Sequence, residues 1–173
     1  MTKHSMRRLF RTLQKQYVLP LHGIHGISHW ARVYENGSRI AEQTGANVKI
    51  VRLFALFHDS KRQSEGVDPE HGLRGAEYAQ TFHKAAFLEL SDQEFELLYR
   101  ACADHADGFT EADMTVQACW DADRLDLYRV GILPDPAFLC TRAAKAANLR
   151  EWANARAASR MLPDSMKTLW DIR

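Results

Sequence analysis

Apolar residues recur at intervals of three and four along almost the whole chain, which is the spacing of one face of an α-helix. Leu9 and Leu13 begin the first such stripe, and Ile50 and Phe54 belong to a later one. Convincing runs of alternating polar and apolar residues are missing from the sequence. The Asn-Gly pair at 36–37 lies inside a helical pattern rather than between two strand-like runs. The sequence therefore predicts an all-α fold.

Local signals place the first helix boundaries. Ser28 is predicted to cap a second helix that ends at Gly45, and Asn47 is predicted to cap a third. The polar segment 60–72 contains glycine and proline and is predicted to be a loop. A fourth helix is expected from about Pro69 into the 80s.

The second half of the chain has similar signals. Residues 91–94, "SDQE", form a capping box that starts a fifth helix, which should run to about His105. A sixth helix is expected over 115–131, followed by a break in "LPDP" at 133–136. One or two alanine-rich helices should complete the chain.

Charge and length exclude several classes of protein. The 173 residues suit one compact domain, and 23 basic against 22 acidic residues give a net charge of +1. Binding of duplex nucleic acid or of an anionic membrane surface needs a dense basic face, so neither partner is expected. The sequence leaves the oligomeric state open.

The sequence also predicts the cellular location by elimination. No run approaches the roughly 18 apolar residues of a membrane span, and the basic start lacks the apolar core of a secretory signal. The three cysteines have no CxxC spacing and are expected to be free thiols of a reducing compartment. We therefore predict a cytoplasmic protein.

Histidines and carboxylates stand at helix ends or inside helices in an informative order. A carboxylate buried without a partner costs several kcal/mol, on the order of the penalty for one buried ion. Imidazoles and carboxylates that arrive from separate helices are the ligands of a divalent metal. Taken singly, such a histidine can instead cap a helix, and such an aspartate can pair with Arg124 or Arg129. The residues in question are His29, His58, Asp59, His105, Asp121 and Asp123.

The order of these residues resembles a known family. "HGISHWARV" (25–33), "HD" (58–59) and "DADRLD" (121–126) follow the H…HD…D pattern of the HD-domain superfamily of metal-dependent phosphohydrolases. The resemblance implies a single-domain HD-type helical bundle over residues 1–173. Its motif core would span about 22–130, with C-terminal helices at 136–173 packed on it.

The resemblance also implies a ligand set. The first metal would be held by His29, His58, Asp59 and Asp123. Asp123 is preferred to Asp121 because "ADRLD" places it where the family has its last ligand. Asp121 and Asp126 would then hydrogen-bond to the ligands.

Two further segments extend the likeness. "DPEHGLRGAEYA" (68–79) and "ACADHADG" (101–108) resemble segments of family members that hold a second ion. By that likeness His71 and His105 would bind the second ion, with Asp59 bridging the two. The resemblance implies one ion, or two, chosen from Mn, Fe, Co, Ni, Zn or Mg.

The implied chemistry is hydrolysis of a small phosphorylated substrate, with a nucleotide as the leading candidate. Lys61 and Arg62 follow the HD pair directly and are predicted phosphate contacts, and Arg74 lies nearby. Glu65 or Asp68 is predicted to orient the attacking water as a general base. The alternative is that these charged residues simply belong to a solvated, turn-forming loop.

Other functions stay open at this point. HD-type sites with extra histidines include di-iron oxygenases, and a non-catalytic metal- or nucleotide-binding regulatory module would also keep the ligands. Specificity is expected from the loops at 60–71 and 106–113 and from the C-terminal helices. His25 either points toward the mouth of the site or shapes the turn in "HGISH". Sequence motifs for phosphate-binding loops, dinucleotide folds and serine hydrolases are missing.

Overall fold

Nine α-helices and two short 3-10 helices make up the computed structural model, which describes residues 1–172. The 3-10 helices are Leu127–Val130 and Pro136–Phe138. No β-strand occurs in this described part of the chain, so the all-α prediction is confirmed. None of the helices described is long and apolar enough to cross a bilayer. The α-helices are α1 (Lys3–Gln16), α2 (Ile27–Thr44), α3 (Val48–Phe57), α4 (His71–Lys84), α5 (Asp92–Ala103), α6 (Met114–Arg124), α7 (Arg142–Lys145), α8 (Ala147–Ala158) and α9 (Asp164–Trp170).

Several helix boundaries follow the predicted local signals. Asn47 caps α3 by accepting hydrogen bonds from the backbone amides of the first turn. Ser91 and Glu94 form the predicted capping box at the start of α5, each side chain bonded to the other's backbone amide. Gly45 ends α2 with a φ of +77°, a left-handed conformation that glycine adopts without steric strain. These predictions are confirmed.

The predicted cap of α2 is wrong. Ser28 lies inside the helix, because the turn before it closes through backbone hydrogen bonds from Gly26 to Gly23 and from Ile27 to Leu21. A Cβ atom at Gly26 would lie 2.2 Å from the carbonyl oxygen of Leu21, so the helix starts directly after a glycine that packs on backbone.

Other boundaries differ from the prediction in the second half. The sixth helix ends at Arg124, where the backbone changes to shorter-range bonds such as Asp126 N–H to the Asp123 carbonyl at 2.8 Å. The alanine-rich region holds α7 and α8 as separate helices because Ala146 between them is extended, and a third helix, α9, contains no alanine.

The core lies around α2, which packs against α3, α6, α7 and α8. Trp30, Trp120 and Trp170 are fully buried in it. Trp170 on α9 stacks on Phe10 of α1 with ring centroids 4.6 Å apart, so the C-terminal region closes on the N-terminal helix. The three cysteines are free, as predicted. The subdivision at 22–130 and 136–173 stays a prediction, and its last residue, 173, lies outside the described part.

Two glycines let α4 approach its neighbours closely enough to build the site. A Cβ atom at Gly75 would lie 2.4 Å from the carbonyl oxygen of Phe57, at the end of α3. A Cβ atom at Gly72 would lie 2.5 Å from the carbonyl oxygen of Cys102, near the end of α5. Since only residues without a side chain permit these distances, the first turn of α4 fits between the two helix ends. His71 begins that turn.

Candidate metal centre

Six histidine and aspartate side chains from five segments converge at one end of the bundle. Three lie at helix starts or on helix bodies, and three lie in the turns that follow α3 and α5. All are buried except Asp123, whose side chain is 16% exposed, so solvent reaches the cluster on the Asp123 side. The six are His29 on α2, His58 and Asp59 after α3, His71 at the start of α4, His105 after α5, and Asp123 in the last turn of α6.

The first group of donors gathers around His29 and His58. Their Nε2 atoms are 3.0 Å apart. Asp59 Oδ2 lies 3.5 Å from His29 Nε2 and 3.7 Å from His58 Nε2. Asp123 Oδ1 lies 3.3 Å and 3.9 Å from the same two nitrogens. Two imidazoles and two carboxylates therefore point at one small volume.

The second group shares Asp59 with the first. His71 Nε2 and His105 Nε2 are 2.9 Å apart. The other carboxylate oxygen, Asp59 Oδ1, lies 3.4 Å from His71 Nε2 and 3.9 Å from His105 Nε2. Each oxygen of one carboxylate thus faces its own pair of histidines, which is the arrangement of a bridging ligand.

The remaining ring nitrogen of each histidine is already bonded to an oxygen. A carbonyl or carboxylate oxygen only accepts, so each Nδ1 carries the proton and each Nε2 presents a lone pair to the cluster. The partners are Asp126 for His29 at 2.7 Å, the Phe54 carbonyl for His58 at 3.2 Å, the Asp68 carbonyl for His71, and the Cys102 carbonyl for His105 at 2.7 Å.

This donor set fits divalent cations. Two facing lone pairs cannot hydrogen-bond to each other, so each pair needs a shared cation or an added proton. Two ligands at right angles, each about 2.1 Å from an ion, would be about 3 Å apart, the separation of both nitrogen pairs. Mixed imidazole and carboxylate ligands favour first-row transition metals over Mg²⁺. The cluster could therefore hold metal, and Asp59 belongs to both of its groups of donors.

The electrostatics of the first group agree with a bound cation. Burial and Arg129 oppose a charge on His29, yet the neighbouring carboxylates raise the pKa of His29 to about 9. Burial lowers the pKa of His58 to about 3 in spite of the same carboxylates. Burial also opposes ionisation of Asp59, but the surrounding imidazoles hold its pKa well below the ordinary value.

Asp126 holds His29 in place, as the sequence predicted. Its carboxylate accepts from His29 Nδ1 and also from the guanidinium of Arg32, at 2.6 Å and 2.9 Å. Arg32 is a residue that the sequence analysis missed. The available signal was its position three residues after His29, on the same face of α2.

Asp121 does not fulfil the prediction made for it. Its carboxylate accepts from the backbone amides of Cys140 and Thr141, both at 2.7 Å, and from the Thr141 hydroxyl. Residues two apart on a helix point about 200° away from each other, so Asp121 and Asp123 cannot face the same cluster. Asp121 instead anchors the segment that leads into α7.

The two basic residues after the HD pair have different surroundings. Arg62 lies at the cluster, with Nη1 3.5 Å from Asp59 Oδ1, but it also donates to the carbonyls of Ser64 and Gly66. Lys61 donates to Gln16 at 3.0 Å, and its ammonium lies 3.9 Å from the ring centroid of Tyr78. Its contacts are with α1 and α4, so a phosphate contact for Lys61 is not supported.

Asp68 and Arg74 neutralise each other. Arg74 Nη2 donates to both carboxylate oxygens of Asp68, at 2.6 Å and 2.7 Å, and the amide of Gln63 donates to the same group at 2.8 Å. A carboxylate with three donors is a poor base, so this role for Asp68 is not supported. Its carbonyl oxygen instead orients His71. The guanidinium of Arg74 is likewise already bonded, to Asp68.

Glu65 is bonded to a histidine outside the cluster. Its Oε2 lies 2.6 Å from Nδ1 of His25, and its side chain is 32% exposed. The ring centroid of His25 lies 6.3 Å from that of His29, so the pair stands at the edge of the cluster.

A wide cleft exists on another face of the molecule. It has a volume of about 770 Å³ and lies between α1, α2, α8 and α9, with Tyr34, Arg39 and Trp152 among its lining residues. None of the six clustered side chains lines it. The chemistry of the donors, rather than the size of a cavity, therefore locates the candidate site.

The comparisons with known proteins agree with the fold. No protein-family model matches the sequence, and no curated protein matches it. The chain is similar to the crystal structure of a predicted HD superfamily hydrolase from an uncultured Thermotogales bacterium, with a TM-score of 0.66 and 27% sequence identity. The match covers 90% of this chain and 87% of that one. The predicted resemblance is thereby confirmed, and this chain has the HD superfamily hydrolase fold together with a histidine and aspartate cluster able to bind metal.

Proposed function

We propose that this protein is a metal-dependent phosphohydrolase that acts on a nucleotide or another small phosphoester. The observation that supports the proposal is the position of Asp59, whose two carboxylate oxygens face two separate histidine pairs. Divalent cations bound there would polarise a phosphoryl oxygen and bring the pKa of a bound water toward neutrality.

The ligands divide between two ions in this proposal. His29, His58, Asp59 and Asp123 would hold the first, and His71, His105 and Asp59 the second. The distances to the histidine Nε2 atoms within each set, from 2.9 to 3.9 Å, support this division. Of the two expectations, one ion or two ions, the proposal adopts two.

Other residues of the chain shape the reaction volume. Arg62 ties Asp59 to the carbonyls of residues 64 and 66, so it holds the 60–71 loop over the cluster. Burial of the other five side chains limits bulk water to the Asp123 side, and this strengthens the electrostatic interactions with a phosphate group. The exposed edge of Asp123 is the side from which a substrate would approach.

The test is a phosphoester screen with metal-stripped and metal-reloaded protein. Mn²⁺, Fe²⁺, Co²⁺, Ni²⁺, Zn²⁺ and Mg²⁺ are supplied in turn, and nucleotides are compared with alkyl phosphates. We expect turnover only after metal is restored, and loss of both metal and turnover in Asp59→Ala. Asp135→Ala, at an exposed 3-10 helix cap, is the matched control. Wild-type turnover in the presence of a strong chelator, or in Asp59→Ala, would contradict the proposal.

A second candidate is an HD-type di-iron oxygenase. The observation in its favour is the complete set of four histidines with a bridging carboxylate, which also suits two iron ions. Oxygen uptake by iron-loaded protein, without phosphoester hydrolysis, would favour it. Tight nucleotide binding with neither reaction would favour a regulatory module instead.

A further inference from the structure

A histidine and a glutamate stand beside the cluster without belonging to it. His25 precedes α2, and Glu65 lies in the loop after the HD pair, 40 residues away in sequence. Glu65 Oε2 and His25 Nδ1 are 2.6 Å apart, the distance of a strong, charge-assisted hydrogen bond. The rings of His25 and His29 are perpendicular, with centroids 6.3 Å apart. The two rings are therefore neighbours at the edge of the cluster, within reach of one bridging water.

Space for the glutamate is provided by a glycine. A Cβ atom at Gly23 would lie 2.0 Å from Glu65 Oε1, well inside van der Waals contact. The carboxylate therefore occupies the place that a side chain at residue 23 would fill. Two groups lie close to that Cβ position. One is the flexible end of the Glu65 side chain, and the other is the backbone carbonyl oxygen of Pro20, 3.0 Å away.

Both partners of the hydrogen bond are held by their backbones. The Tyr17 hydroxyl donates to the carbonyl of His25 at 2.9 Å, and Arg129 donates to the carbonyl of Ile24 at 2.9 Å. On the other side, Arg62 donates to the carbonyls of residues 64 and 66, which flank Glu65. The pair is thus fixed from two sides of the site.

The hydrogen bond determines which ring nitrogen of His25 can react. Since the carboxylate accepts from Nδ1–H, Nε2 carries the lone pair. Within residues 1–172, no hydrogen bond of His25 uses Nε2. Burial lowers the pKa of His25, and the charges of Asp59 and Glu65 oppose this effect.

We propose that His25 is the proton carrier of this hydrolytic site and that Glu65 is its positioning residue. This inference rests on the proposed phosphohydrolase function. It replaces the sequence-based expectation that Glu65 itself is the base.

In the proposed step, the oxygen of the attacking water forms a bond to phosphorus while the bond from phosphorus to the leaving oxygen breaks with its electron pair. One proton of the water passes to Nε2 of His25, and the imidazolium is stabilised by the Glu65 carboxylate. The same proton then passes to the leaving oxygen or to solvent, which restores neutral His25.

The first test needs no substrate. Nitrogen-15 NMR of histidine in the Zn²⁺-loaded protein reports which ring nitrogen carries the proton. We expect His25 to be protonated at Nδ1 in wild type, and to shift toward the Nε2–H form in Glu65→Leu and in Gly23→Ala, which remove or displace the acceptor. An Nε2–H form of His25 in wild type would overturn the proposal. Glu65→Leu keeps the test valid if Gly23→Ala folds poorly.

The second test is kinetic. We expect His25→Gln to lower kcat about 10²- to 10⁴-fold, the usual range for a general base, with unchanged metal content and a much smaller change in KM. Imidazole in solution should restore part of the activity of His25→Ala, which a purely structural role would not allow. His22→Gln, an exposed histidine of the same segment, is the matched control.

The outcomes separate the two proposals. If wild type hydrolyses phosphoesters and His25→Gln retains full kcat, the proton carrier is overturned and the proposed function stands. If wild type hydrolyses no phosphoester under any metal, both are overturned, whatever the tautomer of His25.

Discussion

His71 Nε2 lies 3.4 Å from Asp59 Oδ1, although the two residues come from different helix ends. The contact exists because Gly72 and Gly75 let α4 approach the ends of α5 and α3. It gives Asp59 a second set of partners beside His29 and His58. The proposed second set of ligands therefore depends on the placement of α4.

Removal of His71 should abolish one metal site and spare the other. In His71→Ala, the first group keeps all four of its donors, so we expect the metal content to fall from two ions per chain to one. His29→Ala should lower the occupancy of the first site instead. Elemental analysis of reconstituted protein measures this, with the exposed His4→Gln as control. An unchanged ratio in His71→Ala would remove His71 from the ligand set.

Asp126→Asn and Asp121→Asn should differ in their effect on metal binding, although both should lower stability. Asp126→Asn leaves Arg32 buried without its charge partner, for which we expect a loss of roughly 3–5 kcal/mol in unfolding free energy. It should also weaken metal binding by about 10- to 100-fold, because it disturbs the orientation of His29.

Asp121→Asn should lower stability but leave metal affinity unchanged, because its partners are Cys140 and Thr141. Urea unfolding and metal titration of both variants provide the comparison. Equal effects of the two variants on metal affinity would contradict the assignment of Asp126 to His29.

Gly75→Ala should destabilise the protein and weaken the second metal site. The added Cβ meets the backbone of Phe57 and His58 rather than a flexible side chain, so α4 must move. Overpacking of this kind typically costs about 1–3 kcal/mol. Thermal unfolding and metal content measure the effect. Gly66→Ala is the matched control, since a Cβ there would lie at an ordinary 3.6 Å from the nearest side-chain atom.

The ion pair of Asp68 and Arg74 should make the 60–71 loop sensitive to acid. Burial opposes ionisation, but Arg74 and the Gln63 amide lower the pKa of Asp68 below its ordinary value. Because the folded-state pKa is the lower one, the pair stabilises the fold above the unfolded pKa of about 4 and loses this effect as pH falls through the folded pKa. The difference in unfolding free energy between wild type and Asp68→Asn should therefore be constant from pH 5 to 7 and shrink below pH 4. A difference that grows toward low pH would contradict the sign.

The sequence predicted the elements well because their signals are local. The caps at Asn47 and Ser91 and the stop at Gly45 each depend on residues within one helical turn. The proposed ligand set came from the resemblance of the motif order to the HD-domain superfamily, and it stays a prediction. The sequence also allowed the prediction that the side chains of Asp121 and Asp123 point in different directions. Helical geometry puts residues two apart on opposite faces of the helix.

The contacts of the 60–71 loop were less predictable, because the sequence does not show which residues its charged side chains bind. Lys61 contacts Gln16 of α1, and Asp68 pairs with Arg74 inside the same segment. The bond between His25 and Glu65 joins two segments 40 residues apart, and no periodic pattern connects them. Such pairings follow from tertiary packing alone.

The most direct test of the account is anomalous diffraction from crystals of the manganese- or iron-loaded protein. We predict two anomalous peaks, each bound to a different oxygen of Asp59, one beside His29 and His58 and the other beside His71 and His105. A metal-saturated crystal with no anomalous peak within about 3 Å of the Asp59 carboxylate would contradict the account.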